Sequence, residues 1–549
     1  MRTERSWTTA LVVGVIALTS GGWLLNQGVP GGTLEGRRLL DEVHQLISQQ
    51  FVEEVPSEDL YQMAIDGMLT ELGDPYTTFL DADDWADLRY STTGNYGGLG
   101  VRIDDKDGWI TVVAVLPNTP AQRQGLVVGD RIIEVEGESA EGWTPDKAVQ
   151  VLRGPKGEPV NIMIARVGAD RPLAYEIVRD EINVRQAQAF MLEDKIGFVQ
   201  LTGFTRKAQD ELIEGIDQVL ADGATSLIFD LRANPGGLLE EGIQVTDLFL
   251  PRGEDVVSTR SRVRDQNHTY RAPSGERYPD LPVVVLVNQW SASAAEIVAG
   301  ALQDHDRAVV VGVTSFGKGS VQTIFRLSGD NHMKVTTAKW FTPVGRSIQK
   351  PHDKASALRA VSSLAVSISG EPVEVAPEPE DRKEFHTDGD RIVYGGGGIT
   401  PDLIVAVDTL STEEQELRRD AMRNGVVARD AVFRWAVEYV EAGASVHEGF
   451  KITDSMRDGV FAKFTEEGAE IDRDLFDHSR RYIDWLIGIE LTGTAMGETP
   501  QLKRRAQQDA QVAVAVDLLR RADSPASLLS LAATEAKTRA GLAGSGEGR

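Results

Sequence analysis

The sequence predicts a multidomain α/β protein, and three observations lead there. Apolar runs at residues 196–201, 226–231, 283–287 and 308–313 alternate with helically spaced stretches at 208–220, 239–248 and after 293. Strands separated by helices require crossover connections, which produce a parallel sheet covered on both faces. Between residues 96 and 166, short alternating runs are separated by Gly, Pro and Asp turns, the pattern of a small β domain. Apolar spacing of three and four fills both ends, at residues 34–80 and again from residue 413 onward. A chain of 549 residues exceeds one hydrophobic core, so about two to four domains are expected.

Composition narrows the chemistry. There are 57 Lys and Arg against 84 Asp and Glu, a net charge of −27, which argues against nucleic acid and anionic membrane surfaces as partners. Cysteine is absent, so disulfides, a thiol nucleophile, thiolate-bound zinc and a lipidated N-terminal cysteine are excluded. Catalysis here must use oxygen, nitrogen or carboxylate groups.

In chain order, residues 1–30 read as a membrane anchor or signal segment. Arg2 and Arg5 precede an apolar run at 7–25 of membrane-spanning length, followed by a glycine-rich stretch. Residues 34–90 form an N-terminal helical region, with Leu39, Val43, Leu46, Ile47 and Phe51 on one stripe and Tyr61, Ile65, Met68, Leu69 and Leu72 on another. Residues 91–180 contain Gly97-Gly98-Leu99-Gly100-Val101 and, downstream, Thr119-Pro120-Ala121, Gly125-Leu126 and Gly129-Asp130-Arg131-Ile132. Together these motifs resemble a PDZ domain. The resemblance implies that Gly98, Leu99, Gly100 and Val101 bind a peptide's C-terminal carboxylate through backbone N–H groups while the peptide adds as a strand. The helix at 147–152 would flank the groove, with Ala148, Val149 and Val151 as candidate walls. Arg153, in the turn after that helix, is a candidate sensor that could reach a carboxylate on the core.

Residues 181–405 carry the chemistry-bearing motifs. The buried run 283–287 feeds a small-residue turn, Ser291-Ala292-Ser293, and a helix begins near Ala294. A serine at such a junction stands at the edge of a sheet, beside the unpaired N–H groups of a helix's first turn. Gly317-Lys318-Gly319 places one lysine between permissive residues, and Asp230 to Gly237 ends a strand in Pro235, Gly236 and Gly237. This set closely resembles the carboxyl-terminal processing proteases, serine endopeptidases with a Ser-Lys pair and a PDZ domain. The resemblance implies a crotonase/Clp protease-like twisted sheet core with the PDZ domain inserted before it. It assigns Ser293, the second serine of a Ser-Ala-Ser-x-x-Glu run, as nucleophile, leaving Ser291 as a turn residue. Lys318 becomes the general base, a role that requires a neutral, desolvated amine. Gln322, four residues on, would orient that amine if the segment is helical. Gly236 or Gly237, with the N–H of Ala294, would form the oxyanion hole. Glu296 reads as structural or site-supporting. His305, the residue type that more commonly activates a serine, lies at the far end of the helix, about 18 Å along its axis.

Residues 355–390, acidic and proline-containing, read as a long surface loop, and 391–402 resembles the end of the protease domain in some of these enzymes. Residues 406–549 form a C-terminal helical extension whose stripes suit packing on the core or on a second protomer, self-association being the first expectation. The functional expectation is an exported, PDZ-regulated serine endopeptidase that needs no cofactor or metal. Its substrates would be proteins or peptides with accessible C-termini. Its location would be the cell envelope, anchored to the inner or plasma membrane with the body on the outer, periplasmic side. A catalytically inactive PDZ scaffold on the same fold is the alternative, disfavoured by the joint presence of Ser293, Lys318, Gln322 and the glycine turn.

Overall fold

A computed structural model describes residues 31–193, 195–350, 365–373 and 382–546. The chain divides into two compact units, one of residues 1–82 with 322–336, the other of 83–321 with 337–549. In the first, helices Gly31–Gln50 and Ser57–Leu72 are followed by the strand Thr78–Leu80, which pairs antiparallel with residues 332–334. The helical spacing holds, but Leu39, Leu46, Phe51, Met68 and Leu72 are exposed rather than packed. The apolar run at 7–25 lies outside the described residues. Among those described, no helix is long and apolar enough to cross a membrane.

The second unit is built on a six-stranded sheet. Its order is Ala187–Glu193, Ile196–Leu201, Ser226–Asp230, Val283–Val287, Val309–Gly312, Leu403–Ile404, with only the first pair antiparallel. Side chains alternate along each strand, so Val283, Val285 and Val287 enter one apolar cluster while Val284 and Leu286 enter another. Helices Ala208–Ala221, Leu239–Asp247 and Ala294–Asp304 cover the first face. The second face is covered by the end of the chain: Val512, Ala515, Leu518 and Leu519 of helix Ala510–Arg521 and Leu528 of helix Pro525–Gly546 pack on it. This double cover explains why the central strands read as unbroken apolar runs.

Ahead of the core sits a second six-stranded, antiparallel sheet. It is built on Val101–Lys106, Trp109–Val115, Arg131–Val135, Pro159–Ala165 and Leu173–Val178, with the short strand Glu138–Ser139 paired to the third, around Leu99, Ile110, Ile132 and Ile177. The helix Pro145–Leu152 starts at a Thr144 cap and buries Ala148 and Leu152, leaving Val149 and Val151 half-buried. Ala148 is therefore a core residue and not a groove wall.

Three expectations change. The segment after Lys318 is a strand, Ser320–Arg326, in a hairpin with His332–Phe341, and not a helix. Within 355–390, the described residues form β structure: Ala365–Val366 pairs with Pro372–Val373, and Glu384–His386 pairs with Ile392–Tyr394. The apolar stripes of the C-terminal extension are buried within the chain. Trp435, Ala436, Tyr482, Leu486 and Ile489 form one cluster, and the stripe at 512–519 lies on the core sheet, so self-association through them gains no support.

Candidate active site

Three neighbouring parallel strands end at the same edge of the core sheet, and each releases one of the segments singled out in the sequence. Ser226–Asp230 leads to the glycine turn, Val283–Val287 to the serine turn and Val309–Gly312 to the lysine loop. The carboxyl edge of a parallel sheet is where loops converge around a ligand in open α/β folds.

The serine turn is held tightly. Ser291 Oγ donates to Leu231 O at 2.8 Å and accepts from Asn288 N at 2.9 Å, which makes it the turn residue expected. Ser293 is half-buried and takes φ 55°, ψ −115° as the residue preceding helix Ala294–Asp304. A non-glycine residue there costs about 1–3 kcal/mol and persists only where its surroundings over-determine it. Sharp, strained strand-to-helix turns of this kind present a serine hydroxyl outward. Ala292 N donates to Asn234 O at 2.9 Å, binding the serine turn to the glycine turn. Gly236 comes so close that a Cβ on it would lie 2.7 Å from Ala292 O and 2.8 Å from Ser293 Cβ. Only glycine permits that approach.

Glu296 ties the serine to the lysine loop. Its carboxylate is completely buried; Oε2 accepts from Ser293 N at 2.9 Å and Lys318 N at 2.9 Å, and Oε1 from Ser315 Oγ and Gly317 N, both at 2.6 Å. Burial raises its pKa, against the opposing pull of these four donors. On its other side, Lys318 O accepts from the Nε1 of buried Trp340 at 3.0 Å, and Gly319 N donates to Gln349 Oε1 at 3.0 Å. The half-buried Lys318 thus has its backbone fixed from both directions.

The structure brings Ser293, Ala294, Gly236, Gly237 and Lys318 to one sheet edge. The Gly236 N–H donates to Asn234 Oδ1 at 2.8 Å and so already has an acceptor. Gln322 belongs to the other compact unit, on the strand Ser320–Arg326, where its Nε2 donates to Thr336 Oγ1 at 3.3 Å. His305 closes the far end of the serine helix, with Nδ1 2.7 Å from Asp388 Oδ2 and Nε2 2.7 Å from Asp255 O. Among the described residues, the carboxylate that Arg153 meets is not one of the core. Arg153 pairs with Asp87 at 3.4 Å, on helix Ala82–Thr93, and lies over the Tyr96 ring at 4.6 Å. In the small β domain, Gly98 pairs with Asp180, Leu99 is buried, Gly100 has φ 82° and Val101 opens the strand beside the helix that bears Val149. Among the described residues, no group of three or more His, Cys, Asp or Glu could hold a metal ion.

The reading of Glu296 as structural or site-supporting agrees with these bonds, but its four-way role is not legible in the sequence. Its partners at 315, 317 and 318 share no short spacing with it, and only the serine-to-helix turn was a local signal. Sequence reasoning missed Trp340 and Asn234, which act through backbone contacts that leave no motif.

Known proteins show the same combination. Residues 195–354 match peptidase family S41, 89–165 match the PDZ domain, and 32–84 match the family described as the activating protease CtpB N-terminal domain. The carboxy-terminal-processing protease of Bartonella bacilliformis is 42% identical over 312 residues, covering 56% of this chain and 71% of that protein. The carboxy-terminal processing protease CtpA of Bacillus subtilis is 34% identical over 311 residues, 57% of this chain and 66% of that one. The carboxyl-terminal-processing protease of Synechocystis sp. is 32% identical over 374 residues, 64% and 86% of the two chains.

Proposed function

This chain belongs to the carboxy-terminal processing proteases of peptidase family S41, and from that premise we propose that it is an endopeptidase working through Ser293 and Lys318 on proteins engaged by their C-terminal ends. The observation that carries the reading is the Glu296 carboxylate, which accepts hydrogen bonds from the backbones of both residues and so fixes two distant segments against each other. A neutral Lys318 amine takes the Ser293 hydroxyl proton as Oγ attacks the scissile carbonyl, and the same proton passes to the departing amine. Water then hydrolyses the Ser293 ester by the same route. The N–H groups of Ala294 and Gly237 stabilise the oxyanion, one of them at a helix start where the dipole adds to the effect. The role of Gln322 remains the one implied by its place in the family motif.

The PDZ domain presents the substrate tail, its carboxylate on Gly98 to Val101 and its last side chain toward Val149. The body lies outside the cytoplasm, anchored through residues 7–25; that reading is supported by the length of the apolar run and by Arg2 and Arg5 before it. One unfolded protein prepared with a free and with an amidated C-terminus tests the reading. Wild type is expected to cleave the free form faster, and Ser293→Ala to cleave neither. Equal rates would dispose of tail recognition, and no cleavage by wild type would leave the inactive scaffold.

A further inference from the structure

The C-terminal helical extension contains a cavity of about 220 Å³ whose lining includes Phe450, Lys503, Arg504, Gln507, Gln508 and one carboxylate, Glu448. Arg504 is the unusual member. Its guanidinium lies 4.3 Å from the centroid of the Phe450 ring, and its polar contact is a long one, 3.5 Å from Nη1 to Phe450 O. Its Nε is buried and, among the described residues, has no acceptor. No carboxylate there pairs with it, and burial alone lowers its proton affinity.

Holding a cation in this state is costly in two ways. A buried N–H without an acceptor forfeits its hydration, about 1–3 kcal/mol. Room for the arginine also requires Gly488 within helix Arg480–Met496, since a Cβ there would stand 2.6 Å from Arg504 Nε. Glycine inside a helix costs about 1 kcal/mol relative to alanine. The Phe450 ring and carbonyl offset part of this, but among the described residues no carboxylate pairs with the cation. Beside Arg504, Lys503 Nζ contacts Glu448 Oε1 at 2.7 Å, but Glu448 is 65% exposed, and an exposed ion pair of this kind is easily exchanged.

We propose that this cavity binds a small oxyanion, a carboxylate or phosphate group accepting from Arg504 and Lys503, with the side-chain amides of Gln507 and Gln508 as further polar neighbours. The guanidinium fork suits two oxygens of such a group, and the ammonium supplies a second charge without a fixed geometry. The site lies outside the catalytic machinery. Its helix, Glu498–Gln507, pairs Glu498 with Arg102 of the PDZ domain.

The test is thermal unfolding of the full chain, titrated separately with inorganic phosphate and with malonate at constant ionic strength maintained by sodium chloride. A bound ligand raises the midpoint with its concentration. At least one probe should do so for wild type, and Arg504→Met should weaken the apparent affinity about tenfold or more, the loss of one charge-assisted contact. Lys503→Gln should weaken it as well, and it carries the test if Arg504→Met fails to fold. A response to phosphate alone, or to malonate alone, supports the site and distinguishes the two sources. The proposal is overturned if neither probe shifts wild type, or if the variants shift as wild type does. An arginine that serves packing alone would lower the midpoint equally with and without probe, which also overturns it.

Discussion

A carboxylate offers about four lone-pair sites, and at Glu296 four donors use them. Two come from the serine turn and the lysine backbone, two from Ser315 and Gly317. Glu296→Gln keeps the shape but replaces one oxygen with an NH₂ group, which must then face backbone N–H donors. Each orphaned donor costs about 1–3 kcal/mol, so the turn and the loop should separate. A displacement near 1 Å lowers turnover by roughly 100-fold, and kcat should fall by that order while KM, set largely by tail binding, changes little. The split is read from steady-state kinetics on a variant shown to be folded by circular dichroism. A kcat near wild type would contradict the role given to this side chain. Ser293 itself was legible because a nucleophile leaves a local signature, small residues before a helix. The hub was not, because its partners are brought together only by the sheet.

Helix Ala294–Asp304 is buried along its whole length, and its two ends do different work. The first turn faces Ser293, and the last meets His305, whose partners are Asp388 and the Asp255 carbonyl. Burial pulls the His305 pKa down, but the hydrogen bonds to the Asp255 carbonyl and the Asp388 carboxylate, with the negative charges of Asp388 and Glu254, outweigh it, and the net shift is upward. A group whose folded pKa is raised gives stability that is complete below its unfolded value, about 6.5, and disappears as pH climbs through the folded value. A histidine cation at a helix C-terminus contributes about 1 kcal/mol. Wild type should therefore unfold at a higher temperature than His305→Gln at pH 5.5, with the gap narrowing toward pH 9. A gap independent of pH would show that the contact is not ionic. At this scale the buried strands were readable from runs such as residues 283–287. The segment 320–326 was not, because an interval of four residues suits a helix face and an extended strand alike.

At the scale of the whole molecule, the extension at 406–549 packs on the core sheet and on the PDZ domain. Its last helices form the second layer on the core sheet, and Arg232, at the end of a central strand, reaches Asp509 Oδ2 at 2.6 Å and Gln511 Oε1 at 2.9 Å. On the PDZ side, Lys106 pairs with Asp430 at 2.6 Å and Asp107 with Arg434 at 2.6 Å. Periodicity could find those helices but not their partners, since an apolar stripe is the same whether it covers a sheet or a second protomer. All of this framework positions Ser293 and Lys318 at one sheet edge, and the chemistry assigned to that pair is the central claim. It is tested most directly by turnover of an unfolded protein with Ser293→Ala, Lys318→Arg and His305→Gln, each confirmed as folded. Arginine keeps a cation of similar reach that cannot accept a proton at ordinary pH. The expected result is that Lys318→Arg loses turnover as completely as Ser293→Ala while His305→Gln retains most of it; an active Lys318→Arg enzyme, or a folded but inactive His305→Gln, would contradict the assignment.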